Sequence, residues 1–262
     1  MGLRRLGLST ILLLLTIGGL WSPYYRRPHS IPRPLQAALP VPEGRPHSFS
    51  TTFPAAESTL TEKGNWMDGQ SVGLDWCRAA TLNGLAYGTE SGTGKGDQSY
   101  DDSTALLTGS WGPDQTVEAR VRSVNQTDRL FEEVELRLRS SLSPHRSTGY
   151  EVLFRCSRTP QAYASIARWD GPVGKFAYLD QQSGAQVGVG DGDIVKAVIA
   201  GNLITGYING VQVLRATDAT FSGGSPGIGF WMKRHTGLRA WLTTLEIRNT
   251  DYGFTSVAAW DE

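Results

Sequence analysis

Cysteine and histidine are both scarce in this sequence, which contains two cysteines and four histidines. Only His145 and His235 lie beyond residue 47, and Cys77 and Cys156 lack the close spacing of zinc ligands. These shortages exclude a histidine-rich zinc site. Cys77 and Cys156 either form one disulfide, if the chain is exported, or remain two buried thiols.

Long helical patterns and long apolar runs are also missing. No segment repeats apolar residues at the 3.6-residue period of a helix over any length. The main apolar run, residues 6–21, would span about 24 Å as a helix, short of a hydrocarbon core of about 30 Å. It follows a basic start, so residues 1–21 are predicted to be a signal peptide or, since no A-x-A cleavage pattern follows directly, an uncleaved membrane anchor.

Residues 22–47 are rich in proline and arginine and have no apolar periodicity, which predicts an extended linker before a folded domain at 48–262. The net charge is zero, but residues 1–47 contain six arginines and one acid, while the remainder contains 19 basic and 24 acidic residues. A mildly acidic domain lacks the basic surface that nucleic-acid binding needs, so nucleic acid is excluded as the main partner.

Short apolar runs separated by Gly, Asn and Asp dominate the rest of the chain. Gly201-Asn202 and Asn209-Gly210 each separate two β-type runs, and Asn-Gly is a strong hairpin signal because both residues reach positive φ. The pattern predicts an all-β, two-sheet antiparallel sandwich. Its strands are predicted at 82–87, 104–110, 115–123, 131–142, 149–156, 162–168, 193–200, 203–208, 211–216, 226–233 and 241–249.

Residues 190–249 resemble the concanavalin A-like lectin/glucanase superfamily, including its laminin G-like modules. The resemblance is carried by Gly192-Asp193, Gly201-Asn202, Asn209-Gly210, Asp218, Ser222-Gly223-Gly224 and Gly227-Ile228-Gly229-Phe230. It implies a jelly roll of about 200 residues whose relatives often bind or cleave glycans. These motifs specify hairpins rather than chemistry.

Three predicted strands carry charged residues at alternate positions, and alternate positions of a strand share one face. The charged residues that we expect to bind a ligand are Arg120, Glu133, Glu135, Arg137, Arg139, Glu151 and Arg155. If the strands are neighbours, this set forms either a polar concave face that grips sugar hydroxyls or carboxylates, or a solvated face of cross-strand ion pairs.

Glu133 and Glu135 raise the question of a glycosidase, which needs two carboxyl groups across the scissile bond. The glucanases that the chain resembles carry a Glu-x-Asp-x-Glu strand, whereas this sequence reads Glu133-Val134-Glu135-Leu136-Arg137. Arg137 stands where the acid/base carboxylate would be. This departure weighs against glucanase-type catalysis, and no other catalytic motif stands out.

Two further candidates for ligand binding are Trp169, near a predicted turn, and His235, in a basic turn. Trp169 either stacks on a sugar or packs in the core. Asp97, Asp101 and Asp102 lie in a Gly/Asp loop and offer the oxygen ligands that Ca²⁺ prefers, although their spacing is not that of an EF-hand. Ca²⁺ is the one cofactor that the sequence suggests.

The sequence therefore predicts a glycan-binding or adhesion-type module that is secreted, periplasmic or on the cell surface. Its expected partners are a carbohydrate or a cell-surface protein, and the membrane if residues 6–21 are retained. Two alternatives remain open: a carbohydrate-active hydrolase or lyase with an unrecognised site, and a structural or protein-interaction domain without a small ligand.

Overall fold

A computed structural model describes residues 37–90, 100–127, 130–234 and 248–262, which belong to one compact unit. They form two antiparallel sheets. One sheet has eight strands: β13 (Val211–Thr217), β12 (Leu203–Ile208), β11 (Ile194–Ala200), β6 (Gln115–Ser123), β15 (Tyr252–Asp261), β4 (Ala86–Gly88) and β3 (Ala79–Thr81) in spatial order, with β1 (Ser48–Thr51) paired to β15.

The other sheet has seven strands: β10 (Phe176–Ser183), β9 (Tyr163–Gly171), β8 (Arg146–Arg155), β7 (Leu130–Ser143), β14 (Ser225–Arg234), β5 (Ser103–Leu107) and β2 (Trp66–Asp68) in spatial order. Among the described residues, the helical segments are α1 (Gly69–Gly73) and the 3₁₀ turns Glu62–Gly64, Ala185–Val187 and Asn249–Asp251. None of the helices in the described ranges is long and apolar enough to cross a membrane, and residues 6–21 lie outside those ranges.

The core lies between the two sheets and is built by the period-2 pattern of the sequence. Val134, Leu136 and Leu138 on β7 are fully buried. Val117 and Ala119 on β6 pack with them in one hydrophobic cluster. The predicted Asn209-Gly210 turn is confirmed, because both residues adopt positive φ, 51° and 82°, between β12 and β13. The predicted all-β sandwich is therefore correct.

Of the two alternatives for Cys77 and Cys156, the structure has two free thiols rather than a disulfide. Cys156 directly follows β8, while Cys77 forms a bridge with Ser103 on β5. Strands β8 and β5 are separated by β7 and β14, a distance of about 14 Å at the usual strand spacing. A disulfide requires Cα atoms within about 7 Å.

The end of the proline-rich segment packs against the eight-stranded sheet. Leu39 is buried against Ala258 and Trp260. Two polar contacts follow it along the chain: the Arg45 guanidinium donates to Glu262 at 2.7 Å, and the His47 ring lies 2.8 Å from the Asp261 carboxylate. Residues 37–47 therefore contact the sandwich, although the domain boundary at residue 48 stays a prediction.

A fragment that begins at residue 37 is expected to unfold at higher urea concentration than one that begins at residue 48. The shorter fragment loses the buried Leu39 side chain, worth about 1.5–3 kcal/mol. Leu39→Ala in the longer fragment should reproduce most of the difference, while Arg45→Ala should cost less than about 1 kcal/mol because its ion pair is exposed. Equal midpoints for the two fragments would show that residues 37–47 add nothing to stability.

Candidate functional site

A cavity of about 180 Å³ lies on the face of the seven-stranded sheet that points away from the core. We call this face the cavity face. Glu133 and Glu135 alternate along β7 with the core residues and point to this side, and Glu151 is on the neighbouring β8. The cavity is lined by Tyr100, Asp102, Phe131, Glu133, Glu135, Glu151, Leu153, Tyr163, Ala167, Trp169, Phe176, Tyr178, Trp231 and Lys233.

Arg137 lies beneath the cavity and joins three of its carboxyl groups. Its Nη2 atom lies 3.0 Å from Asp102 and 2.5 Å from Glu135, and its Nη1 atom lies 2.6 Å from Glu151. Arg137 and Glu135 are each only 1% exposed. The three carboxyl groups lie within 4.8 Å of one another, so the guanidinium supplies the positive charge that holds them together.

Gly229 on β14 makes room for this network. It pairs with Glu135 across the β14–β7 ladder, on the cavity face. A β-carbon at position 229 would collide with the Glu135 carboxyl and crowd the Arg137 guanidinium. The motif Gly227-Ile228-Gly229-Phe230, which carries part of the superfamily resemblance, therefore also shapes the cavity floor. Its second glycine, Gly229, leaves room for the side chains of Glu135 and Arg137.

Burial shifts the protonation of the cavity carboxyls. The pKa of Glu133 is raised to about 8, chiefly by desolvation, although a hydrogen bond from the Tyr163 hydroxyl opposes the shift. The pKa values of Asp102 and Glu135 are raised well above the usual range by desolvation and by the nearby Glu151 charge, against the opposing effect of Arg137. A protonated Glu133 is therefore favoured at neutral pH.

Aromatic rings form much of the cavity wall. Phe176 contacts Tyr100, Trp169 and Tyr178 with ring centroids 4.9, 5.1 and 5.2 Å apart. Trp231 stacks nearly parallel to Tyr100 at 6.5 Å. Tyr178 is 48% exposed, which leaves much of its ring accessible. Such rings offer flat apolar faces to a ligand.

Trp169 is a buried ring and not a solvent-exposed one on which a sugar could stack. It lies within β9 rather than in a turn, and it is 3% exposed. Its indole N–H donates to Glu151 at 2.6 Å, and the Arg137 guanidinium lies 5.5 Å from its ring centroid. Trp169 therefore holds the Glu151 carboxyl in place and presents only a small part of its surface to the cavity.

The structure separates two of the predicted charged residues from this group. Arg120 is on β6 in the other sheet and donates to the Gly192 carbonyl at 3.1 Å. Arg139 sits at a bulge of β7 with a positive φ of 45°, which turns its side chain away from the cavity. Its guanidinium instead contacts Pro113, Asp114, Gly201 and Phe221.

The charged residues that remain do not form the solvated face of cross-strand ion pairs that was one of the two predicted alternatives. Glu135, Arg137 and Arg155 are each 1% exposed, so they form a buried layer below the cavity wall. Arg155 lies over the Phe131 ring at 4.0 Å and over Tyr163 at 5.5 Å. The period-2 pattern placed these residues on one face correctly, but it carried no information about the aromatic residues that cover them.

The predicted calcium ligands do not converge among the described residues. Asp102 turns toward Arg137, whereas the carboxylate of its neighbour Asp101 accepts a weak hydrogen bond from the Cys77 thiol at 3.5 Å. Neighbouring residues of an extended chain point in opposite directions, which explains the divergence. Asp97 and His235 lie outside the described residues.

Sequence reasoning missed most of the cavity wall. The residues of the wall that were not predicted to bind a ligand are Tyr100, Phe131, Tyr163, Phe176, Tyr178, Trp231 and Lys233. Trp231 pairs with Glu133 across the β14–β7 ladder, so the two share a face. The alternation of β14, in which Ile228 and Phe230 are buried core residues, was the available signal.

Comparisons with solved structures agree with the fold. The chain is similar to a GlcNAcα1-4Gal-releasing endo-β-galactosidase from Clostridium perfringens, with a TM-score of 0.52, 13% identity, and coverage of 86% of this chain and 65% of that one. A Bacillus licheniformis β-glucanase gives a TM-score of 0.44 at 11% identity, covering 82% and 95% of the two chains. The carbohydrate-binding module CBM66 from Bacillus subtilis gives 0.46 at 16% identity, covering 65% and 92%.

No protein-family model and no curated protein matches the sequence. At these identities, the similarity to solved structures establishes the fold alone. The described residues have the concanavalin A-like jelly-roll fold that the sequence resemblance implied. The protein is thus a concanavalin A-like β-sandwich with an acidic, aromatic-walled cavity on its seven-stranded sheet.

Proposed function

We propose that this protein is a glycan-binding β-sandwich module whose cavity holds one sugar ring. The observation that carries the proposal is the composition of the cavity, in which accessible aromatic rings stand beside carboxyl groups. Pockets for small molecules combine apolar walls with a few polar groups that fix orientation. A sugar ring has both matching surfaces, since its C–H faces pack on aromatic rings and its hydroxyls donate to carboxyl oxygens.

The dimensions of the site favour a small occupant. Its volume of about 180 Å³ is below the roughly 300–1,000 Å³ of pockets for drug-sized ligands. One ring, either the end of a chain or a side branch, is therefore the proposed ligand unit. The relatives with solved structures include a carbohydrate-binding module and enzymes that act on carbohydrates, which supports the same ligand class.

The proposed location is outside the cytoplasm, where glycans of cell surfaces and matrices are available. The basic and then apolar start of the chain supports export, and the apolar residues 6–21 would tether the domain if they are retained. In that arrangement the proline-rich segment would hold the sandwich at a distance from the membrane.

Removing an accessible ring of the cavity is expected to weaken glycan binding strongly. Tyr178→Ala and Trp231→Ala should each raise the dissociation constant of a retained glycan by about 30-fold, the effect of losing an aromatic hot spot worth about 2 kcal/mol. Binding is measured by calorimetry with glycans first identified on a panel of neutral and acidic oligosaccharides.

Tyr207→Ala is the matched control. Tyr207 is a partly exposed tyrosine on β12 of the other sheet, where the Lys196 ammonium lies over its ring at 4.8 Å. Its removal should leave glycan binding within about twofold, because the ring lies far from the cavity. Equal losses for Tyr207→Ala and Tyr178→Ala would move the binding site elsewhere. No retention of any glycan on the panel would favour the protein-interaction alternative.

A carbohydrate-active enzyme is the second candidate function, and one observation favours it. Glu133, whose raised pKa of about 8 keeps it protonated at neutral pH, shares the cavity with Glu151. Glu151 forms one salt bridge with Arg137 and accepts a hydrogen bond from the Trp169 indole. A protonated acid beside a second carboxyl group is an arrangement that general acid–base catalysis uses. The same glycan incubations, assayed for new reducing ends or unsaturated sugars that Glu133→Gln abolishes, would favour the enzyme over the binding module.

A further inference from the structure

The Tyr100 side chain connects two aromatic residues whose strands stand far apart in the seven-stranded sheet. Phe176 belongs to β10 and Trp231 to β14, and these strands are separated by β9, β8 and β7, a distance of about 19 Å at the usual strand spacing. The Tyr100 ring nevertheless contacts both, with its centroid 4.9 Å from that of Phe176 and 6.5 Å from that of Trp231. A ring that reaches both residues lies above the strands between them.

The strands beneath Tyr100 carry carboxyl groups of the cavity. Glu135 is on β7 and Glu151 on β8, and they are 1% and 3% exposed. Both line the cavity together with Tyr100. Such low exposure on the outer face of a sheet agrees with a cover above it, since an uncovered face would be open to water. Tyr100 therefore covers the floor of the cavity.

The Tyr100 ring is held in place from two sides of the cavity. Asp102, two residues further along the chain, forms a salt bridge with the buried Arg137 at 3.0 Å. On the other side, a β-carbon at Gly174, in the turn between β9 and β10, would lie only 3.3 Å from the Tyr100 ring. The ring thus packs closely against that turn while the following chain is tied to the floor.

The cavity is most accessible beside β10. Tyr178 is the most exposed residue of its lining, at 48%, and the neighbouring Phe176 is partly exposed. A ligand that enters past Tyr178 has the carboxyl floor below it and the Tyr100 ring above it. A covered pocket of this kind takes the end of a chain, whereas a glycan that continues in both directions needs an open groove.

We propose that Tyr100 determines the specificity of the cavity for a terminal sugar ring, because its side chain covers the floor and excludes rings from the interior of a glycan chain. This inference rests on the proposed glycan-binding function and identifies the residue that limits which part of a glycan is bound. Tyr100→Ala would uncover Glu135 and Glu151 and turn the pocket into a groove in which an internal ring can lie.

The first test measures, by calorimetry with the full-length chain, how affinity depends on glycan length. The ligands are the methyl β-glycosides of glucose, galactose and N-acetylglucosamine and the β-1,4-linked hexasaccharide of each sugar. A hexasaccharide should have a dissociation constant within about threefold of its methyl glycoside, because only the terminal ring makes contacts. In Tyr100→Ala the hexasaccharide should bind about tenfold or more tightly than the methyl glycoside, since contacts from further rings need to add only about 1.4 kcal/mol.

Two variants separate this role of Tyr100 from a general loss of structure. Tyr100→Phe keeps the ring and should show the same length dependence as the unchanged chain. Tyr178→Ala removes another tyrosine of the cavity, which contacts Phe176 at the accessible side, and should weaken both ligands in the same proportion. If Tyr100→Ala also weakens both ligands in the same proportion, Tyr100 is a structural residue and the proposal is wrong.

A second test needs no glycan. A carbodiimide couples glycine ethyl ester to carboxyl groups that the reagents can reach, and trypsin then releases residues 130–137, which include Glu133 and Glu135, for tandem mass spectrometry. Both glutamates should be labelled several times faster in Tyr100→Ala than in Tyr100→Phe, because the alanine variant lacks the cover. Thermal unfolding of both variants checks that labelling is compared on folded protein.

The outcomes of the two tests distinguish the role of Tyr100 from the function beneath it. Equal labelling of the two variants overturns the cover, and hexasaccharides that bind the unchanged chain about tenfold more tightly than their methyl glycosides overturn the selectivity for a terminal ring. Failure of all six ligands and of the wider glycan panel overturns the proposed function. Faster labelling of Tyr100→Ala would in that case still show that Tyr100 covers the cavity.

Discussion

Arg137→Met is expected to lower the free energy of unfolding by about 3–5 kcal/mol, the usual cost of removing one member of a buried ion network. The guanidinium forms salt bridges with Asp102, Glu135 and Glu151, and it is almost completely buried. Without it, three carboxyl groups within 4.8 Å of one another would lose the cation that joins them. Urea denaturation at pH 7 measures the loss.

Arg168→Met is the control for this prediction. Arg168 on β9 also forms salt bridges with two carboxylates, Asp170 and Asp218, but its side chain is 25% exposed. Its replacement should cost only about 1 kcal/mol or less, because water screens exposed pairs. A loss of that size for Arg137→Met as well would mean that the network beneath the cavity adds no more to stability than a surface pair.

The chain is expected to lose stability as the pH rises from about 5 to about 8. Buried Glu90 and Glu132 have pKa values raised to about 7, and Glu133 to about 8, in each case chiefly by desolvation. The folded state therefore holds protons that the unfolded chain releases above about pH 4.5, and stability falls until these groups ionise in the folded state as well. Together they should cost at least about 2 kcal/mol, or about 4–8 °C in the unfolding temperature.

A carboxyl group with a lowered pKa has the opposite effect, because its contribution to stability is lost as the pH falls. Burial alone would raise the pKa of Asp218, but hydrogen bonds from Tyr150, Thr220 and Arg168 lower it to about 2, so its contribution is lost only as the pH falls through the acid range. Maximum stability is therefore expected near pH 5. Unfolding temperatures measured from pH 4 to 9 check this, and the double change Glu90→Gln with Glu133→Gln should flatten the slope. A maximum at pH 8 or above would contradict the assigned protonation states.

The fold was predictable where the sequence alternates strictly. The β7 pattern placed Val134, Leu136 and Leu138 in the core, and Asn209-Gly210 gave the turn that joins β12 to β13. The prediction failed for β10 (Phe176–Ser183) and β15 (Tyr252–Asp261). Strand β10 lies at the sheet edge and is not fully buried at any position, and β15 is rich in small residues, so neither shows apolar alternation. The predicted strand 241–249 lies almost entirely outside the described residues.

The site was predictable only in part. The alternation along one strand shows which of its residues share a face, but it does not show which residues of other strands pack on that face. Glu133, Glu135 and Glu151 were identified from their spacing, and the cavity contains all three. Asp102 was expected to bind calcium instead. Its contact with Arg137 could not be predicted, because only the tertiary structure brings the start of β5 close to Arg137. Arg139 fulfils the same alternation as Arg137, yet a bulge removes it from the face. Bulges and strand order depend on long-range pairing that local patterns do not encode.

Gly229 also determines how deep the polar floor of the cavity lies. A single hydrogen at this point of β14 allows the Glu135 carboxyl and the Arg137 guanidinium to lie in a trough across the strand. A residue with a β-carbon would fill the trough and push both groups outward, which would turn a recessed polar floor into a level surface. The depth of the polar floor in this protein is thus set by the absence of a β-carbon at position 229.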